Sequence, residues 1–174
     1  QDPTKAHHVF TGWSPTVPET FDADRTFVAQ WIIANYTYTF NLDGGNIGLD
    51  VTNRITSGPY NTNSITPEDP VRDNYTFAGW SPNVPARYDQ DRTFIALWIP
   101  LTYTFTFDLN EGNIDGDTTS RITSGAYNSH SYKPVDPVRE HYTFEGWSPE
   151  VPNKFDEDRT FTALWTPLNY TFTF

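Results

Sequence analysis

The chain has 174 residues, a formal net charge of -11, 14 Pro, no Cys and no Met, and 17% of its residues are aromatic. So acidic a chain, with no basic cluster, lacks the Lys and Arg that release counterions on nucleic acid or attract anionic membrane surfaces. Without Cys it has no disulfide, thiol nucleophile or thiolate metal site, its aromatic share is too high for a disordered acidic chain, and no run approaches the roughly 18 apolar residues of a membrane span.

The first residues lack the basic-then-apolar pattern of a signal peptide, so a mature product or a fragment is expected. Asp2-Pro3 aligns with Asp69-Pro70, so residues 1–35 read as the second half of a repeating unit. Within them stand Gly12-Trp13-Ser14-Pro15, which return as Gly79-Trp80-Ser81-Pro82 and Gly146-Trp147-Ser148-Pro149. Residues 36–102 overlay 103–169 without a gap, with about 42 of the 67 positions identical, and a fixed period of this size marks a tandem structural unit. Residues 170–174 repeat 103–107 and read as the first strand of a further unit.

Within a unit the dominant period is two. Residues 36–42 and 103–107 alternate aromatic side chains with Thr, as a half-buried strand does. Residues 43–50 and 110–117 are rich in Gly, Asn and Asp and predict a turn. A second, weakly patterned strand is expected at 51–56 and 118–123. A polar, Pro-bearing stretch follows at 57–73, with at most one helical turn. Residues 75–80 and 93–98 are two further strands, joined by a loop at 81–91. The fold class is therefore mainly β, α+β at most, with about four strands per unit and only residues 99–102 between one unit and the next.

Several recurring residues invite a chemical reading. The acidic turn places Asp22 and Asp24, Asp89 and Asp91, and Asp156 and Asp158 one residue apart, each pair followed by an Arg. Such carboxylates are candidates for Ca²⁺, which takes six to eight oxygens. With no third ligand evident, a turn whose Asp side chains cap backbone amides and pair with the Arg is the stronger expectation. The turn at 108–117 resembles a calcium loop but has its Gly misplaced, and its equivalent at 41–50 lacks most of the carboxylates. Trp98 and Trp165 are expected in the core, and Trp80 and Trp147 more weakly so, against a sugar-binding alternative.

His7, His8 and His130 face Asn74, Tyr75 and Asn63 in the adjacent copy, and His141 faces Asn74, which argues against a periodic metal or catalytic role. No His base, nucleophile and orienting acid recur together, so no enzyme is expected and no cofactor is implied. Lys5, Lys133 and Lys154 face Arg or Thr in other copies, which disfavours a Lys–Asn cross-link. Asn35, Asn74 and Asn169 each open an Asn-Tyr-Thr sequon, meaningful only in a glycosylating host.

At residues 69–82, Asp-Pro-Val-Arg-Asp-Asn-Tyr-Thr-Phe-Ala-Gly-Trp-Ser-Pro, the chain resembles the Listeria–Bacteroides repeat, the B repeat of internalin-type surface proteins. Residues 36–42 are similar to the family's opening strand and 93–98 to its last. Two departures stand out: Asn74 or His141 replaces the family's Gly before the Tyr, and the stretch ahead of the Pro is long. The resemblance implies tandem β-grasp-like modules, extracellular on a cell surface or wall, that space a ligand-binding domain from its anchor. Expected partners are neighbouring repeats or copies of the chain itself, or a host glycan or protein, with neither nucleic acid nor membrane insertion. The aromatic segment Tyr170, Thr171, Phe172, Thr173 and Phe174 is a candidate for strand exchange, since an exposed strand is a template for β-augmentation.

Overall fold

A computed structural model describes residues 1–20 and 23–174. The described residues form ten strands and no helix: β1 His8–Ser14, β2 Val28–Ile33, β3 Asn35–Asn41, β4 Arg54–Pro59, β5 Tyr75–Ser81, β6 Arg92–Pro100, β7 Thr102–Asp108, β8 Arg121–Ala126, β9 Tyr142–Ser148 and β10 Arg159–Pro167. They fall into two compact units, one of Gln1–Asp73 and Phe77–Trp98, the other of Asn74–Thr76 and Ile99–Phe174.

In the first unit β1 and β2 pair antiparallel. The four strands of residues 36–102 pair in the order β4-β3-β6-β5, with β3 antiparallel to β4 and parallel to β6. In the second unit β8-β7-β10-β9 repeat this order, with β7 parallel to β10. This is the mixed sheet expected of a β-grasp-like module, without the helix. In place of one, the connection between β4 and β5 is extended and hydrogen-bonded to what it crosses. Asn61 N–H donates to the Tyr88 carbonyl at 2.8 Å, and Asn46 and Val71 exchange two bonds of 2.8 Å.

Period-two alternation places Tyr38, Phe40 and Phe94 on one face, where they are fully buried with Tyr88. Phe105, Phe107, Phe155 and Phe161 take the same places in the second unit. Phe144 and Trp147 both join this core although they lie three residues apart, which strict alternation forbids. A bulge resolves the conflict. Leu164 pairs with Gly146 and Trp165 with Phe144, so Glu145 is an extra residue and the alternation changes phase there. Gly146 supports it with φ of 120°, and Gly12 sits at the equivalent shift in β1 with φ of 132°.

Three expectations need correction. The weak second strand lies at Arg54–Pro59 and Arg121–Ala126, three residues beyond its predicted place. Its apolar residues mislead, because Ile55 and Ile122 point outward, 69% and 68% exposed. Its inward positions include Gly58 and Gly125, where a Cβ would come within 2.5 and 2.4 Å of the Tyr88 and Phe155 rings. Trp98 and Trp165 are only partly buried. Each lies over a glycine, Gly45 or Gly112, and donates its indole N–H to the carbonyl of Leu42 or Leu109 at 3.3 Å. The segment between consecutive four-strand repeats is Leu101 alone, since β6 runs to Pro100 and β7 starts at Thr102.

Candidate functional site

The recurring acidic turn is a clasp at the parallel centre of each sheet. Asp89 accepts two bonds from Arg92, one from Nε at 2.8 Å, as well as the Gln90 N–H and the Tyr38 hydroxyl. The Arg92 guanidinium chiefly holds its carboxyl well below the usual carboxylate range, with the Tyr38 hydroxyl adding to the effect. Asp91 acts on the neighbouring strand: its Oδ1 accepts the Thr37 N–H at 2.7 Å, just before β3 takes up parallel pairing with β6. The second unit repeats this arrangement. Arg159 binds Asp156 at 3.0 and 2.7 Å and lowers its carboxyl in the same way, and Asp158 accepts the Thr104 N–H at 2.7 Å.

Of the calcium candidates, Asp22 lies outside the described residues and Asp24 is exposed. Asp89 and Asp156 hold an Arg through both oxygens, and Asp91 and Asp158 each accept a backbone amide through Oδ1. Among the described residues no group of three or more His, Asp or Glu is placed to hold a metal. The surface beside each clasp is a shallow depression, about 350 Å³ along Thr37, Thr39, Asp91, Arg92 and Thr93, and about 300 Å³ along the equivalent five residues. The turn at Asp50 and Asp117 closes on itself too. Each Asp accepts from a Thr two residues on (Thr52 or Thr119) and pairs with an Arg four residues on.

The second recurring arrangement is the junction. His7, Asn74 and His141 all hold φ between 58° and 67° in the left-handed region. In each case the backbone carbonyl accepts an N–H from the residue just past a last strand: Ala34 at 2.9 Å, Leu101 at 2.8 Å and Leu168 at 2.8 Å. In each case the side chain bonds the hydroxyl of the next repeat's leading Tyr. His7 Nδ1 meets Tyr36 at 3.0 Å, Asn74 Oδ1 accepts from Tyr103 at 2.8 Å, and His141 Nδ1 meets Tyr170 at 3.0 Å. Tyr60 and Tyr127 close the set. Their N–H groups donate to the carbonyls of Ala34 and Leu101, and Tyr60 stacks on His7 with centroids 3.6 Å apart.

The junction corrects the reading of the histidines. His7 and His141 stand two repeat lengths apart at one structural position, a recurrence hidden by Asn74 between them. What recurs is a joint: at each position the backbone carbonyl and the side chain both bond the segment that leads into the next repeat. The left-handed backbone also explains the departure from the family pattern: the place where the family has Gly is a positive-φ position, which Asn and His tolerate better than most residues. Residues 170–174 carry no strand pairing, and Tyr170, Phe172 and Phe174 are exposed.

The family model described as the Listeria-Bacteroides repeat domain matches residues 36–93 and 103–173. Internalin H of Listeria monocytogenes is 30% identical over 163 residues, which cover 79% of this chain and 26% of that protein. Two Evansella cellulosilytica proteins, provisionally described as membrane proteins, are each 24% identical over 97% and 94% of this chain. The chain spans only 28% and 19% of their lengths.

Proposed function

Because the chain belongs to the Listeria-Bacteroides repeat domain family, we propose that it is a stalk segment, exposed outside a bacterial cell, that holds an adhesive domain away from the surface. The reading takes residues 1–35, 36–102, 103–169 and 170–174 as successive pieces of one repeating module. The observation that carries it is the junction. A single residue separates β6 from β7, its N–H is bonded to the Asn74 carbonyl and its own carbonyl to Tyr127, and the same bonds recur at Ala34. A connection so short restricts hinge motion more than a Gly/Ser linker does.

The array is non-catalytic in this reading, and the turn carboxylates Asp89, Asp91, Asp156 and Asp158 each bind an Arg or a backbone amide. A contact with host glycan or protein is left to the adhesive domain. Spin labels on residues 1–35 and on 103–169 test the mechanical role through the distance distribution between them. One narrow distribution is expected. A spread as broad as that of a flexible linker of equal span would sink the stalk reading.

A further inference from the structure

A sheet has two faces, and in residues 36–102 only the inner one is packed. It carries Tyr38, Phe40 and Phe94, closed over by Tyr88 and Val84. The alternate residues of the same strands form the outer face. Ile55 comes from β4, Thr37 and Thr39 from β3, and Thr93, Ile95 and Leu97 from β6. The relief of this face is uneven. Ile55 lies opposite Thr39, and Thr39 opposite Thr93, so a large side chain, 69% exposed, borders a valley of small ones. That valley is the shallow depression of about 350 Å³ beside the clasp. Further along β6, Ile95 and Leu97 are 45% and 46% exposed.

The equivalent face of residues 103–169 shows what is particular to this one. There Thr162 stands for Ile95, Glu145 for Ala78 and Asp108 for Asn41. The first sheet thus presents an apolar, nearly uncharged face in a chain whose net charge is -11. Asp91 and Arg92 stand at the end of the valley and are already bonded, Asp91 to the Thr37 N–H and Arg92 to Asp89.

We propose that the outer face of residues 36–102 packs on the same face of a second copy, as a two-fold dimer of sheets. Three features select a second copy as the occupant. Knob and hole lie on one surface, so Ile55 of each copy enters the threonine valley of the other, the self-complementarity a two-fold interface requires. Like charges set against each other across an interface are costly, and this face brings together two acidic chains without doing so. The area suffices as well. Four strands about 4.8 Å apart and about six residues long, at about 3.3 Å per residue, project roughly 400 Å². Two such faces, with the relief of their side chains added, approach the roughly 1,000 Å² of a weak specific interface. The dimer does not depend on the stalk reading, and labelled distances within one copy test that reading separately.

The experiment is sedimentation velocity on the full chain across a concentration series reaching about 1 mM, where a weak dimer is populated. The mass is expected to rise to two copies and no further, because a two-fold interface closes on itself. Leu97→Glu, at an exposed position, is expected to leave a single-copy mass. Leu164→Glu, the same change in residues 103–169, is expected to leave the two-copy mass in place. The absence of Cys allows a second measurement that does not depend on either variant. Chains carrying Ile55→Cys and Thr93→Cys, mixed and treated with a short bismaleimide, are expected to join as a two-copy product. Ile122→Cys with Thr160→Cys, the equivalent pair, is expected to give none. A single-copy mass for the unaltered chain at every concentration overturns the proposal and leaves the face to a different partner. A two-copy mass that survives Leu97→Glu, a mass above two copies, or equal crosslinking of the two pairs overturns it too.

Discussion

Residues 36–102 and 103–169 build the same sheet, yet they fill its centre differently. In the first, Tyr38 and Tyr88 meet with ring centroids 4.7 Å apart. The Tyr38 hydroxyl is within reach of two acceptors, the Arg87 carbonyl at 2.8 Å and Asp89 at 2.9 Å, and the Tyr88 oxygen accepts the Ile65 N–H at 3.3 Å. In the second, Phe105 and Phe155 occupy these places at 4.6 Å with no hydroxyl, and the Tyr132 ring stands edge-on to Phe155 where the first has Ile65. The clasp and the cap at the strand start are common to both, and Gly79 and Gly146 hold positive φ at equivalent positions. The shape of the central pair is thus held constant while its polarity is exchanged. A buried phenol is tolerable only where an acceptor is already in place, and the 87–89 loop, fixed by the Asp89–Arg92 pair, supplies one.

The largest effect expected is from emptying the centre. Tyr38→Ala and Phe105→Ala each remove a fully buried ring and should cost about 3–5 kcal/mol. Hydrogen exchange read separately on β3–β6 and β7–β10 should place each loss in the altered module. Equal losses in both would break the comparison, because the two modules would then unfold as one. Next come Gly58→Ala and Gly125→Ala, whose new Cβ meets the neighbouring ring well inside contact distance in either module. Overpacking of this kind costs about 1–3 kcal/mol. Denaturant midpoints should fall by similar amounts in both, and a clear inequality would show that one central ring gives way more easily.

A smaller pair of changes exchanges the polarity itself. Tyr38→Phe should cost about 1 kcal/mol, the net worth of its hydrogen bonding. The reverse change, Phe105→Tyr, should be neutral or mildly stabilising, since Asp156 is held by Arg159 as Asp89 is by Arg92. Chemical denaturation decides it. A Phe105→Tyr protein as damaged as one with a buried, unsatisfied hydroxyl would mean that the second clasp does not offer its acceptor.

The repeat, the aromatic–Thr alternation and the family motif were all legible in the sequence because each is a pattern along the chain. Less legible were features whose cause lies across it. The second strand was misplaced because Ile55 faces out and Gly58 faces in, and only the nearby Tyr88 ring makes that arrangement sensible. Trp98 was expected deeper than it lies, since nothing local says that it rests on Gly45. The pairing of Asp with Arg was readable from spacing alone. That the second Asp of the motif caps Thr37, 54 residues away, was not. The junction was hidden by comparing neighbouring copies only: His7 against Asn74 looks like divergence, whereas the common elements are a left-handed backbone and a side chain that reaches a Tyr hydroxyl.

Titration separates the two modules most finely. Burial, reinforced by Asp89, raises the Tyr38 phenol above its ordinary value, so the folded state holds this proton more tightly than the unfolded chain does. A raised value means that the associated stability is fully present below the unfolded phenol value of about 10 and is lost as pH rises through the folded value. Residues 103–169 have Phe105 there and carry no such liability. The carboxyls of Asp89 and Asp156 are shifted the other way, each lowered by its Arg. Their contribution is complete above the unfolded value of about 3.9 and disappears as pH falls below it, in both modules alike. Acid should therefore weaken the two together, while alkali above about pH 10 should weaken 36–102 through Tyr38 and spare the corresponding position of 103–169. Module-resolved unfolding followed from pH 8 to 11, with Tyr38→Phe as the reference, isolates that phenol. If the alkaline loss in 36–102 is the same with and without the Tyr38 hydroxyl, the polar centre is not what distinguishes the modules at high pH.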